Sequence, residues 1–416
     1  MNPADLARLC TDAVERWGTP LYLTDLDAAG ARLAAYRAAF PGALVAYAVK
    51  ANADSQLLRR LVTDGAGCEV VTAVELALAL RAGCPAERIV INGVGKRDEE
   101  LHLALAADVL INAESLDELR RLVALAADHP GARIGLRLNP ALDAGSHPHL
   151  ATGAAGAKFG ISLADLPAAL EMLRSAGLPL AALGAHIGSQ VESAEPFGEL
   201  AVRLGHAAAQ AIAAGMPPER IDLGGGLAAA DDASLAVLAT AVRPAFPDSE
   251  RLILEPGRSL VAEAGWLIAR VVRTQPRPEA GCGYLVADAG MTELIRPMLY
   301  GADHPVSLVA AGAPFTPTGA THLAGPICEA GDILARDLDR WLTPSELSSA
   351  GVGALLAVGN AGAYGAVMAS TYNGRLRPAE AVLEGGLLRL SRRSETLDDL
   401  LAREQEPTPA RALSAP

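Results

Sequence analysis

The sequence predicts an α/β fold, a (β/α)8 TIM barrel joined to a second, mostly β domain of barrel or sandwich type. Three observations predict it. Eight short apolar runs recur with helix-rich segments between them: Leu44–Val49, Cys68–Val71, Ile89–Asn92, Val109–Asn112, Ile134–Leu138, Leu183–Ile187, Ile221–Leu223 and Leu252–Leu254. Eight β-then-α units fit a closed barrel, whereas a doubly wound open sheet usually has fewer strands. Polar residues follow nearly every run: Lys50, Glu69 and Thr72, Asn92, Asn112, Arg137 and Asn139, His186 and Ser189, Asp222 with Gly224-Gly225-Gly226, and Glu255 with Arg258. A barrel gathers such residues at one mouth, and packing alone does not explain a polar cap on every strand. After about residue 262 helical patterns become scarce, and strand-like runs are punctuated by Gly and Pro.

In chain order, residues 1–20 read as a helix that stops near Gly18-Thr19-Pro20. Leu21–Thr24 reads as a strand, and Leu26–Phe40 as a helix ended by Pro41-Gly42. Leu57–Asp64, Val74–Ala82, Glu99–Ala107 and Leu116–Ala127 are amphipathic helices between barrel strands. The later strands are expected at Trp266–Val272, Tyr284–Ala287, Val306–Leu308, Leu355–Ala357, Ala381–Leu383 and Leu387–Leu390. Leu21–Thr24 is expected to join them. The division expected is 27–265 for the barrel, 1–26 with 266–403 for the β domain, and 404–416 for a disordered tail rich in Pro, Ala and Glu.

The chain has 416 residues, 51% of them hydrophobic, which suffices for two domains and a large core. Its formal net charge of −13 argues against nucleic acid and anionic membranes as partners. No apolar run reaches the ~18 residues of a membrane span. Met1-Asn2-Pro3-Ala4-Asp5 lacks the basic and apolar regions of a signal peptide. The five cysteines, Cys10, Cys68, Cys84, Cys282 and Cys328, are scattered and form no C-x-x-C, so neither a disulfide framework nor a metal site is expected. These features describe a cytoplasmic, enzyme-sized protein with free thiols.

The chemistry centres on Lys50. The chain has three lysines, Lys50, Lys96 and Lys158, and arginine carries the remaining positive charge. Lys96 lies in a Gly-Lys-Arg-Asp turn and is expected to be solvated. Lys50 ends a buried strand, where an amine is costly unless paired or covalently engaged. Desolvation lowers the pKa of an ammonium, and a neutral amine can form a Schiff base where a guanidinium cannot. The alternative is a strand-end lysine that reaches solvent.

Other segments add candidates. Gly224-Gly225-Gly226 offers unobstructed backbone N–H groups suited to a phosphate, or is simply a turn. His186 and Ser189 add an imidazole and a hydroxyl at the preceding strand end. Glu255 at the mouth needs a cationic partner, either a protonated pyridine nitrogen or Arg258. Cys328 beside Glu329 in a Gly/Pro loop is a reactive thiol or a buried inert one. Arg258 and Arg296 suggest a substrate bearing a carboxylate.

Taken in order, these segments resemble the barrel-type, fold type III pyridoxal-phosphate decarboxylases, nearest their diaminopimelate branch, from about Thr19 to Leu400. The matching stretches are Tyr47–Asn52, His147–Gly153, Lys158–Ile161, His186–Gln190, Asp222–Gly226, Glu255–Arg258, Asp288–Met291, Ile295–Tyr300, Gly325–Glu329 with Gly331-Asp332, Ala361–Gly365, Tyr372-Asn373 and Arg377–Glu380. The resemblance implies that Lys50 binds pyridoxal 5'-phosphate covalently and that His186 stacks on the pyridine ring. Ser189, Gly225, Gly226, the backbone of Gly257 and Arg258, and the Tyr364 hydroxyl would bind the phosphate. Glu255 would keep the ring nitrogen protonated, so that the ring accepts electrons during decarboxylation. Arg258, Arg296, Tyr300, Glu329 and Tyr364 would bind the amino-acid substrate, and Cys328 would return the proton.

The implied reaction converts meso-2,6-diaminopimelate to L-lysine and carbon dioxide. The alternative is the same chemistry on another amino acid, free or carrier-linked, in a specialised pathway. The family also implies a homodimer, with Cys328 and Glu329 reaching the partner's site. Three places depart from the family pattern: Glu69–Leu76, where the family usually begins with Asp and carries two glycines; Leu227–Ala230 after the glycine run; and Ala330.

Overall fold

The structure is a computed structural model and describes residues 2–143, 152–154, 156–228 and 231–404. His147–Ala151 and residues 405–416 of the expected tail lie outside the described residues.

The chain opens with helix α1 (Pro3–Trp17), strand β1 (Leu21–Asp25) and helix α2 (Leu26–Ala39). Asn2 caps α1 by accepting the Asp5 N–H, and Asp25 caps α2 through the N–H groups of Asp27 and Ala28. The barrel strands follow as β2 (Leu44–Ala48), β3 (Gly67–Val70), β4 (Ile89–Ile91), β5 (Leu110–Ala113) and β6 (Arg133–Asn139). A two-residue strand, β7 (Ile161–Ser162), extends the end of β6. Strands β8 (Leu180–Gly184), β9 (Arg220–Asp222) and β10 (Leu252–Leu254) complete the circle. Each strand pairs in parallel with the next, β5 with β6, β6 with β8 and β10 with β2, so the sheet closes.

Alternation along these strands sets the barrel's contents. Ala46, Val90, Leu110, Ala182 and Ile253 pack together as an apolar inner layer. Two residues further along, the inward positions are Glu69, Asn92, Asn112, Asp222 and Glu255, all buried. Gly135 and Gly184 leave room for this layer, since a Cβ on Gly135 would lie 2.2 Å from Asn112 Oδ1 and one on Gly184 2.6 Å from Asp222 Cβ. The outward-facing residues pack against the helices in the main hydrophobic core.

Two strand ends differ from expectation. The strand expected at Leu183–Ile187 runs Leu180–Gly184, which leaves His186 and Ser189 in the following loop. The first barrel strand stops at Ala48, and Lys50 lies in a short 3-10 turn, Val49–Ala51. Lys96 is also corrected. It is buried, with Nζ 2.8 Å from Glu118 and bonded to the carbonyls of Gly93 (2.7 Å) and Asn112 (3.1 Å). The glycines around it let the turn fold inward.

The second sheet contains β11 (Gly265–Arg277), β12 (Cys282–Ala287), β13 (Val306–Ala310), β14 (Ala320–Ala324), β15 (Ile333–Ala335), β16 (Leu355–Val358), β17 (Ala379–Glu384) and β18 (Leu387–Arg392). The order is β15-β14-β12-β11-β1-β17-β18, and β16 pairs with both β11 and β13. Strand β1 therefore lies inside this sheet, antiparallel to β11 and parallel to β17. The sheet meets the barrel at close range. The N–H of Tyr364 donates to Ala51 O (2.8 Å), and Asn52 Nδ2 donates to Gly362 O (3.0 Å). Among the described residues no helix is long and apolar enough to cross a membrane.

Candidate active site

The polar layer at the C-terminal end of the barrel is a hydrogen-bonded ring. Lys50 Nζ donates to Glu69 Oε2 at 2.5 Å. Asn92 Nδ2 donates to Glu69 Oε1 (3.2 Å) and to Glu255 Oε1 (2.6 Å). Asn112 Nδ2 donates to Asn92 Oδ1 (2.9 Å) and to Asp222 Oδ2 (3.2 Å), and Asp222 shares a hydrogen bond with Glu255. Lys50 and Glu255 thus occupy the same mouth, two hydrogen-bonded side chains apart.

Three carboxylates in so small a buried space cannot all be ionised cheaply. Burial first, then Asp222 and Glu69, hold the Glu255 carboxyl well above its ordinary pKa, which favours its protonated form. Asp222 is pushed up to about 6, mainly by burial. Lys50 departs from the sequence expectation. Burial alone would lower its pKa, but Glu69, with Tyr364 and Glu255 behind it, raises it above the ordinary value. Glu255 is not paired with Arg258: its neighbours are Asn92 and Asp222, and Arg258 turns toward Ser189.

The loops after β8, β9 and β10 form one rim. Gly225 and Gly226 are required there by packing. A Cβ on Gly225 would stand 2.0 Å from Glu255 O, and one on Gly226, at φ +114°, 2.0 Å from Gly188 O. The Gly225 N–H donates to His186 Nδ1 at 3.0 Å, which places the imidazole proton on Nε2. Burial, with Arg137 and Lys50 nearby, holds His186 well below its usual pKa, so the ring is neutral. Arg258 Nη2 approaches Ser189 Oγ at 3.4 Å. Gly257, immediately before Arg258, is buried against Ala48 and Ala51 beside Lys50.

The β domain supplies the opposite wall. Tyr364 sits at φ +57°, held by its bond to Ala51. Arg258 and Arg296 stack on its ring at 4.8 and 5.7 Å, and Arg296 also stacks on Tyr300 at 5.4 Å. Arg296 is 2% exposed, and burial with the neighbouring Arg258 lowers its pKa to about 10. Arg258 Nε and Arg296 Nε are buried without a hydrogen-bond partner among the described residues. Two stacked, under-satisfied guanidiniums form a receptor for an anion. Cys328 and Glu329 are exposed on the loop between β14 and β15, where Tyr372 donates to Glu329 at 2.8 Å.

Sequence reasoning gave no role to Glu69, Asn92, Asn112 or Asp222, although all four were visible as strand-end polar residues. It also gave none to Asp332. This buried carboxylate accepts the N–H groups of Met291 (2.6 Å) and Ile327 (2.8 Å), and so fixes the base of the Cys328 loop.

The comparisons with known proteins agree with this geometry. Residues 26–262 match the family model "Pyridoxal-dependent decarboxylase, pyridoxal binding domain". A diaminopimelate decarboxylase of Deinococcus radiodurans is 40% identical over 397 residues, spanning 94% of this chain and 97% of its own. One from Neisseria meningitidis is 39% identical over 405 residues, spanning 94% and 96%. The crystal structure of Helicobacter pylori diaminopimelate decarboxylase complexed with L-lysine superposes with a TM-score of 0.83 at 33% identity, covering 94% of this chain and 98% of that one. This chain belongs to the pyridoxal-dependent decarboxylase family, in its diaminopimelate decarboxylase branch.

Proposed function

We propose that the protein decarboxylates meso-2,6-diaminopimelate to L-lysine and carbon dioxide, using pyridoxal 5'-phosphate. The observation that carries the substrate choice is the pair of guanidiniums over Tyr364, Arg296 buried and Arg258 half-buried, whose Nε atoms lack partners among the described residues. Diaminopimelate bears a second carboxylate, which such a pair binds, whereas simple diamine formation calls for an acidic residue against a distal ammonium. The Helicobacter pylori relative, complexed with L-lysine, supports the same product class.

The residues present fit the cofactor. The acidic ring has one lysine in it and a carboxyl whose protonated form burial favours, and a pyridinium would supply the ring's second cation. Bound there, pyridoxal phosphate supplies an electron-accepting ring for the pair left when the Cα–carboxylate bond breaks. Lys50 is the group that binds it covalently. Glu255 would face the ring nitrogen, oriented by Asn92 and Asp222. Neutral His186 would cover a ring face, its orientation fixed by the Gly225 N–H. Ser189, Gly226, Gly257, the Arg258 backbone and the Tyr364 hydroxyl would receive the phosphate, with Gly225 lining the loop while its N–H is given to His186. Arg258, Arg296, Tyr300 and Glu329 hold the distal end of the substrate, with Tyr364 beneath them, and Cys328 returns the proton to Cα.

The same reading makes the protein a cytoplasmic homodimer, divided into a barrel at 27–265 and a β domain at 1–26 with 266–403. Cys328 and Glu329 are exposed, which suits a loop that serves the partner subunit's site.

The test is carbon dioxide release by purified protein from meso-diaminopimelate, ornithine, arginine and lysine. Turnover of diaminopimelate alone is expected, and activity only on ornithine or arginine would overturn the substrate. The holoprotein should show a visible or near-ultraviolet band that borohydride removes and that Lys50→Ala lacks.

A further inference from the structure

We propose that Glu69 is a positioning residue of this site: it is the berth that holds the ε-amine of Lys50 whenever that amine is not bonded to the cofactor. This rests on Lys50 being the pyridoxal-phosphate lysine. Three observations point to it. Nζ sits 2.5 Å from Glu69 Oε2 at the end of β3. The two partners differ in exposure: the Glu69 side chain is 1% exposed and that of Lys50 is 40% exposed. The carboxylate is also anchored from behind, because Asn92 donates to its Oε1, and Asn112 fixes the orientation of that amide by donating to Asn92 Oδ1. The carboxylate is the fixed member of the pair and the lysine the moving one.

The groups around Nζ leave Glu69 as its counter-charge. Glu255 faces it from beyond β10, but burial favours its protonated form. His186, from the loop after β8, is neutral. Tyr364 faces it from the β domain, and Glu75 lies on the helix after β3, bonded to the Val71 N–H. A buried carboxylate deprived of its cation is costly, so Glu69 draws the amine back each time the substrate amine displaces it.

Capture of the cofactor runs the other way. The Lys50 ammonium gives one proton to solvent, which its 40% exposed side chain reaches, and becomes neutral. Nζ then bonds to the aldehyde carbon, and its two remaining hydrogens leave with the carbonyl oxygen as water. The ion pair opposes this step, because it holds the amine in its charged form.

The test uses full-length protein stripped of cofactor and mixed with pyridoxal phosphate over a range of pH. Growth of the visible band is followed, and borohydride followed by peptide mapping confirms the bond at Lys50. Capture needs the neutral amine, so its rate rises with pH through the lysine's titration. Glu69→Gln keeps the shape and removes the charge, leaving burial as the main influence on Lys50. The midpoint of capture should therefore fall by about one pH unit or more, which is roughly tenfold faster capture below both midpoints. Glu69→Asp shortens the reach and should move the midpoint the same way by less. It carries the same decision if the glutamine variant does not fold. In turnover, Glu69→Gln should lower kcat with KM nearly unchanged. A wild-type band with unmoved midpoints in the variants overturns the berth alone. Absence of a band in the wild type overturns the assignment of Lys50, and the berth with it.

Discussion

Lys96 and Glu118 form an ion pair in which neither side chain reaches water, at 1% and 5% exposure. Such a pair contributes little net stability while intact, but removing one partner strands the other charge. Lys96→Met should destabilise the barrel by roughly 3–5 kcal/mol, and Lys96→Met with Glu118→Leu should recover most of that loss. Urea unfolding of the three proteins decides it; a double variant no better than the single would contradict it. The reason the sequence misplaced Lys96 is physical. Its neighbours are glycines, an arginine and an aspartate, which look solvated, while its partner belongs to the next βα unit. Glu69 was hidden in the same way. The sequence shows a carboxylate at a strand end, but not the register of β2 against β3, which sets Glu69 opposite Ala48 and within reach of the lysine two residues on. Lys50, His186, Glu255 and Arg258 were legible because each lies at or near the end of an apolar run.

At the scale of elements, the junction between the sheets depends on backbone approaching backbone. A Cβ on Gly362 would stand 1.9 Å from Val261 O, and one on Gly265 2.3 Å from Gly362 Cα. Gly362→Ala should force the β domain off the barrel at an overpacking cost of about 1–3 kcal/mol. Because Gly362 O also accepts from Asn52, two residues beyond Lys50, cofactor affinity should fall with stability. Thermal unfolding and a pyridoxal-phosphate titration together check this, and unchanged affinity at lowered stability would confine the effect to packing. The eight barrel strands were legible because buried parallel strands read as continuous apolar runs. Strands β14 and β15 were not, since Ala320–Ala324 carries Thr and His, and Ile333–Ala335 is only three residues long. The loop they hold carries Cys328, so the motif was visible while its scaffold was not.

At the scale of the whole molecule, sharing of sites across a dimer gives a mixing experiment. Cys328→Ala should keep the cofactor band and lose most turnover, and Lys50→Ala should lose both. If each site takes Lys50 from one subunit and Cys328 from the other, half of a randomised mixture is hybrid, with one intact site of two. Activity should then recover to roughly a quarter of wild type. No recovery after demonstrated subunit exchange would place all the catalytic groups in one chain.

Strand β1 lies between β11 and β17, with Leu21 opposite Ile268 on one side and Ala379 on the other. On the ribosome the first of these residues emerges early and the last almost at the end of synthesis. The barrel strands mostly pair with near neighbours in sequence and can assemble as they appear, whereas Leu21–Asp25 waits with an open edge for nearly the entire message to be read. A chain cut short before residue 379 would therefore leave one side of its own first strand unpaired.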